Sequence, residues 1–225
     1  MKTIKAIITG TTGMVGKGVL LECLDNPAVS EVLIINRHSV NMNHPKLKEI
    51  IHDNFYDLAA IEQNLNGFDA CFFCLGVSSF RMKEPAYNRV TYDLTLHVAQ
   101  TLLRLNPAMT LCYVSGQGTD STEKGRTMWA RVKGKTENAL LSMPFKAAYM
   151  FRPGFIHPMN GIRSRTPLYN AGLIILKPLY PVLKTLFPNS ITTTQAMGKA
   201  MIAVVLKEYN KRVLLSKDIN LLSKF

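Results

Sequence analysis

Three features of the sequence predict an α/β fold with a doubly wound parallel sheet. Strand-like apolar runs alternate with helical patterns, a glycine-rich turn joins the first such pair, and residues of special chemistry recur where strands end. Residues 5–9, Lys-Ala-Ile-Ile-Thr, are a short apolar run that stops at a glycine and reads as a buried strand. Gly10-Thr11-Thr12-Gly13-Met14-Val15-Gly16 follows, and residues 19–24 carry helical spacing. Gly10 permits the tight turn, Gly13 lets the backbone approach a pyrophosphate, and Gly16 lets the helix pack against the strand. The free N–H groups and the positive dipole end of the helix then face the phosphates. The unit predicts a dinucleotide-binding, Rossmann-type element, with Thr12, Met14 and Val15 counted beside the three glycines as cofactor contacts.

The 225 residues are 47% hydrophobic and 19% charged, globular values for a chain long enough to bury a large core. We expect one NAD(P)-binding domain over residues 1–225, with a substrate or lid lobe at about residues 160–195 before the last helix. Met1-Lys2 leads straight into the first strand, with no secretory leader pattern. Residues 171–187 are the longest apolar stretch, but Lys177, Pro178, Pro181 and Lys184 break it, which excludes a membrane span. That stretch fits a folded C-terminal lobe buried against the chain's own core, a lid, a membrane-surface segment, or burial against a second copy, so self-association stays open.

Lys and Arg total 27 against 15 Asp and Glu, a net charge of +12. The one local concentration is Lys124, Arg126, Arg131, Lys133 and Lys135. No Cys/His finger or aromatic RNP-like strand accompanies it, so no nucleic acid is expected, and a phosphate-rich cofactor accounts for part of the charge. Cys71 and Cys74 make a nominal CxxC, but on a strand residues three apart lie about 10 Å apart on opposite faces. A disulfide needs less than roughly 7 Å, so redox and zinc readings are rejected. Free buried cysteines fit a reducing cytoplasm. His38, His44, His52 and His97 have no metal-ligand spacing, so no metal is expected.

Residues 31–37 read as the second strand, ending in Asn36-Arg37. A carboxylate there would hold a ribose 2′-hydroxyl, whereas a guanidinium pairs with a 2′-phosphate. This favours NADP, with NAD as the alternative. Residues 49–53 read as a third strand that puts Asp53 within reach of an adenine amino group. Residues 58–65 read as a helix capped by Asp57. Residues 69–75 form a fourth strand, followed by Gly76, where the chain passes close to the cofactor. A long helix spans residues 87–105, and Pro107 ends it. Residues 109–115 form a fifth strand ending at Ser115, residues 127–141 a helix, and residues 147–152 a sixth strand that leads into Pro153. Gly10, Arg37, Asp53, Gly76, Ser115 and Pro153 all fall at carboxyl ends of strands, where ligands of such sheets collect.

These motifs resemble the atypical short-chain dehydrogenase/reductases over roughly residues 3–160. The resemblance rests on residues 9–16, on Phe73-Cys74-Leu75-Gly76, on Tyr113-Val114-Ser115, on Val132-Lys133-Gly134-Lys135-Thr136-Glu137 and on Phe151-Arg152-Pro153-Gly154. It is greatest to the Tat-interacting oxidoreductase branch and its NAD(P)-binding bacterial relatives. It implies a catalytic Ser, Tyr and Lys, with Tyr and Lys four residues apart on one helix face. It assigns these roles to Ser115 and Lys133, makes Lys133 a contact to the nicotinamide ribose, and counts Leu75, Gly76 and Pro153 in the cofactor cleft. Trp129 stands where the Tyr belongs. An indole N–H donates a hydrogen bond but is no general acid near neutral pH.

Three readings follow. Another group, such as Tyr113, Tyr169, His157 or water, supplies the proton. Or the protein binds NADP(H) without turnover and regulates a partner. Or Trp129 is core packing and Lys133 a solvated lysine. The first makes the chain an NADP(H)-binding oxidoreductase or epimerase-like enzyme with a small-molecule substrate.

Overall fold

The computed structural model describes residues 3–162 and 190–225. Residues 163–189, which hold Tyr169 and most of the expected substrate lobe, lie outside the described residues. The chain opens with β1 (Ile4–Thr9), α1 (Met14–Asp25), β2 (Val29–Asn36) and β3 (Leu47–Ile51). A 3-10 helix at Ala59–Leu65 leads to β4 (Ala70–Phe73). Then come α2 (Glu84–Asn88), a π-helical turn at Arg89–Asp93, α3 (Leu94–Leu105), β5 (Thr110–Val114), α4 (Met128–Ser142) and β6 (Ala147–Arg152). The last elements are β7 (Phe155–His157), β8 (Ile191–Thr193), α5 (Thr194–Lys207), β9 (Val213–Leu215) and α6 (Ser216–Leu222).

Seven strands form one parallel sheet in the order β3-β2-β1-β4-β5-β6-β9. β4 and β5 read as unbroken apolar runs because helices cover both faces of the sheet. Alternate residues of β1 feed two cores. Ile4, Ala6 and Ile8 join Val19, Leu20, Met197 and Met201 on one face. Ile7 joins Phe73, Tyr113, Val98 and Leu102 on the other. The strand order reverses between β1 and β4, which opens a crevice at the carboxyl ends of these strands.

The structure differs from the expected elements in detail. The helix expected over residues 58–65 is a 3-10 helix at Ala59–Leu65 rather than an α-helix, as short connectors often are. Asp57 still accepts from the Ala59 N–H at 3.0 Å at its start. The long helix begins at Glu84 and carries the π-helical turn. The third strand stops at Ile51, so Asp53 lies two residues beyond it. β7, β8 and β9 were not anticipated, because three residues are too few to show a period. All four cysteines are free thiols. Burial pushes each of them up, which makes a thiolate nucleophile an unsuitable reading.

α1 and α5 touch through two glycines. A Cβ at Gly18 would sit 2.5 Å from Thr194 Cβ, and one at Gly198 would sit 2.7 Å from Glu22 Cβ and 3.1 Å from Val19 Cα. Gly198→Ala therefore forces the helices apart and lowers the unfolding free energy by about 1–3 kcal/mol. The urea midpoint should fall with the slope unchanged. An unmoved midpoint would show that this contact is slack.

Candidate active site

The turn after β1 is built from backbone contacts that leave no room for side chains. Gly10 has φ +74°, and a Cβ on it would lie 2.7 Å from the backbone of Cys74 and Leu75, at the exit of β4. A Cβ on Gly16 would lie 2.3 Å from the Gly10 carbonyl oxygen. The Gly13 N–H donates to that same oxygen at 2.9 Å. Gly13 is the N-cap of α1, with no side-chain cap and no acidic residue in the first turn. The first N–H groups of α1 thus lack intrahelical acceptors and face the crevice with a positive dipole end. Met14 and Val15 line the crevice. Thr12 faces a neighbouring cavity of about 220 Å³ with Lys17, Val40 and Met42.

At the end of β2, Asn36 is buried and does not point at the crevice. Its side-chain oxygen accepts from Thr11 Oγ1 at 2.9 Å, and its amide donates to Glu49 at 3.2 Å. Glu49 also accepts from Ser39 Oγ at 2.5 Å and from the Val40 N–H at 3.0 Å. These bonds hold its carboxyl below the usual range, although burial works against them. This network ties the β1 turn to the β2–β3 connection, and the sequence reading missed it. Arg37 is exposed and has no ion pair among the described residues. Asp53 is also exposed.

A cavity of about 610 Å³ lies where β5, β6 and α4 converge. Ser115, Lys133, Trp129, Gln117, Pro153 and Tyr87 are on its wall, together with Ser78 and Ser79. The structure thus brings Ser115, Lys133 and Pro153 together beside Met14 and Val15, while Arg37 and Asp53 stand apart at the ends of β2 and β3. Leu75 and Gly76 follow β4 beside the turn. Trp129 faces this cavity, with its ring edge 3.4 Å from a Cβ position on Gly118, so it is not core packing.

Lys133 is half-buried. Its Nζ donates to the backbone oxygens of Ser115 at 3.0 Å and Val114 at 3.3 Å, and lies 5.6 Å from the Tyr113 ring centre. Burial lowers its pKa to about 8, and the Glu137 carboxylate one helical turn away works in the opposite direction. It is not a solvated lysine.

Glu137 is wholly buried. It accepts from Arg152 Nε at 3.1 and 3.0 Å, forms an ion pair with the Arg152 guanidinium, and accepts from Ser115 Oγ at 2.5 Å. The other acceptor near Ser115 Oγ is the Phe151 carbonyl at 3.2 Å. A hydroxyl has one proton to donate, and it lies on the side of these two acceptors, with the nearer Glu137 carboxylate taking the stronger share. Ser115 therefore offers lone pairs to the cavity. In the sequence Glu137 stands out only as the end of the Val132–Glu137 motif. The signal that could have found it is its place four residues after Lys133 on a helix face otherwise turned inward.

Of the expected proton donors, Tyr113 and His157 lie off the cavity wall, and Tyr169 lies outside the described residues. Tyr113 is sealed in the second core, where burial pushes its hydroxyl far up. His157 lies on β7, off the cavity wall. Tyr87 is on the wall but 1% exposed, and burial pushes its hydroxyl up.

No protein-family model matches the chain. Over 158 residues it is 25% identical to the Protein HTATIP2 of Rattus norvegicus, covering 69% of this chain and 64% of that protein. Over 214 residues it is 24% identical to "Protein fmp52, mitochondrial" of Emericella nidulans, covering 92% and 89%. Among solved structures, a short chain dehydrogenase family protein from Francisella tularensis superposes with a TM-score of 0.65 at 15% identity, covering 92% of each chain. A UDP-N-acetylglucosamine 4-epimerase from Methanobrevibacter ruminantium superposes with a TM-score of 0.69 at 18% identity, covering 100% of this chain and 81% of that one. The Bordetella bronchiseptica enzyme WbmF, solved with NAD+, superposes at 0.67 with 14% identity, covering 99% and 78%. These structures share the Rossmann-type fold. Relatives and architecture together bear out the resemblance to the atypical short-chain dehydrogenase/reductases.

Proposed function

We propose that the protein is an NADP(H)-binding oxidoreductase or epimerase-like enzyme acting on a small molecule. The glycine cradle carries this reading: Gly10 and Gly16 admit no Cβ, and the uncapped start of α1 turns its free N–H groups to the crevice. These residues fit a pyrophosphate, and Lys133, Pro153 and the 610 Å³ cavity fit a nicotinamide and a substrate beyond it. When bound, the cofactor supplies or accepts a hydride equivalent. Lys133 points its remaining N–H into the space where ribose and substrate meet, Ser115 accepts a hydrogen bond from a substrate hydroxyl, and the Trp129 indole N–H donates to a substrate oxygen. In this reading the segment at about residues 160–195, most of it outside the described residues, is the substrate lobe of a single domain. A cytoplasmic location belongs to this reading and is supported by the free buried cysteines. No helix among the described residues is long and apolar enough to cross a membrane.

Arg37, exposed at the end of β2 and without an ion pair among the described residues, is available to a 2′-phosphate. Arg37→Ala should cost NADPH binding about 1.5–3 kcal/mol, or roughly 10- to 150-fold in Kd, and leave NADH within about twofold. Isothermal calorimetry with both cofactors decides it. Equal weakening of both removes Arg37 from the site, and no binding of either removes the reading itself. A second reading, an NADP(H)-binding regulator without turnover, is favoured by one observation: Trp129 faces the cavity where the resemblance implies a tyrosine. Tight NADPH binding with no oxidation by a panel of carbonyl compounds would support it.

A further inference from the structure

Among the described residues on the cavity wall, the protic side chains are Ser78, Ser79, Tyr87, Ser115, Gln117, Trp129 and Lys133. Serine, amide and indole protons are too weakly acidic to protonate an alkoxide-like oxygen in concert with reduction. Ser115 has its proton directed at Glu137 and Phe151, away from the cavity. Tyr87 is 1% exposed, and burial pushes its hydroxyl up, which makes it a poor acid. Lys133 differs from all of these. Two of its three ammonium N–H groups are held by the Val114 and Ser115 carbonyls, and the third has no protein acceptor among the described residues.

We propose that Lys133 is itself the proton donor of the reaction, standing in for the tyrosine that Trp129 replaces. The proposal rests on the oxidoreductase reading above. In the reducing direction the substrate carbonyl carbon would take the hydride equivalent that a bound reduced nicotinamide supplies. The carbonyl oxygen takes a proton from the Lys133 ammonium. The N–H bond breaks, the O–H bond forms, and neutral Lys133 is reprotonated by water at the cavity mouth. Its two carbonyl bonds keep Nζ fixed through the proton transfer, since one N–H is spared for the substrate.

The titratable and charged groups around Lys133 are consistent with this role. Glu137 lies on the same helix, Arg152 of β6 neutralises Glu137, and Tyr113 of β5 and Tyr87 of α2 are uncharged over the relevant range. The lysine is thus neither locked by an unshared carboxylate nor left in water. With its pKa near 8 it can give up a proton near neutral pH, which a solvated lysine does poorly. The sign follows: reduction needs the protonated form, so its rate falls as pH rises through about 8, and oxidation of an alcohol rises there.

The test uses the full chain, NADPH, and 4-nitrobenzaldehyde as the carbonyl probe. Lys133→Arg keeps the positive charge but cannot release a proton. It should lower kcat at least 100-fold, with the NADPH Kd within about threefold and an unchanged melting curve. In parallel, reductive ¹³C-methylation of the wild-type protein should give a Lys133 resonance that titrates near pH 8. Retained kcat in Lys133→Arg overturns the proposal and makes water the donor. A comparable loss in Tyr169→Phe, or a Lys133 resonance titrating above 10, also overturns it. Tight NADPH binding without wild-type turnover overturns the acid role and leaves the regulator reading standing. Absence of NADPH binding overturns the oxidoreductase reading on which both rest.

Discussion

Replacing Glu137 with alanine should lower the unfolding free energy by about 3–5 kcal/mol, because it strands the Arg152 guanidinium in a buried setting. Glu137 is wholly buried, and only 14% of the Arg152 side chain is exposed. The carboxylate satisfies both Arg152 and Ser115, and Arg152 Nη2 donates in turn to Ser121 Oγ at 2.5 Å in the loop that carries Gly116 to Thr127. Removing it therefore loosens α4, β6 and this loop together. Urea unfolding followed by circular dichroism measures the loss. A loss below about 1 kcal/mol would mean that water solvates Arg152 adequately, and that the buried pair is not what holds the site. Glu137→Gln separates shape from charge. It keeps the volume and one acceptor but removes the carboxylate that raises Lys133, so Lys133 should titrate lower than in the wild type.

Gly16→Ala should abolish measurable NADPH binding, a loss of at least about 100-fold, while costing about 1–3 kcal/mol in stability. The added methyl would stand 2.3 Å from the Gly10 oxygen and 2.9 Å from the Thr11 nitrogen, both backbone atoms that cannot rotate away. Helix α1 must then retreat from the turn, and its first N–H groups leave the position where a pyrophosphate would lie. Gly76→Ala is the matched control. Open space surrounds a Cβ there, so its stability should stay within about 0.5 kcal/mol of the wild type. Any weakening of NADPH in that variant reports how near the cofactor passes to the β4 exit. Calorimetry on the two proteins side by side makes the comparison. Wild-type affinity in Gly16→Ala would sink the assignment of the turn.

How far the site could be read from sequence depended on the range of each interaction. Gly10, Gly13 and Gly16 act within one turn, so their spacing sufficed to place them. Strand ends were legible because the apolar runs stop at Gly10, Arg37 and Ser115, and the carboxyl ends of a parallel sheet gather on one side. Asn36, Glu49 and Thr11 were illegible, because three separate elements must fold before their side chains meet. The same holds for the proton on Ser115, which Glu137 captures from 22 residues away.

By itself, then, the sequence determined the α/β class, the parallel sheet and the dinucleotide turn, since local apolar periods and glycine geometry dictate them. It also exposed the anomaly at Trp129, because one-turn spacing on a helix needs no tertiary information. Only the tertiary structure decided that Trp129 faces the cavity, that Ser115 turns its proton inward and that one Lys133 N–H has no acceptor among the described residues. Hydrogen-bond direction and burial belong to groups brought together from α4, β5 and β6, and no stretch of the chain carries them alone.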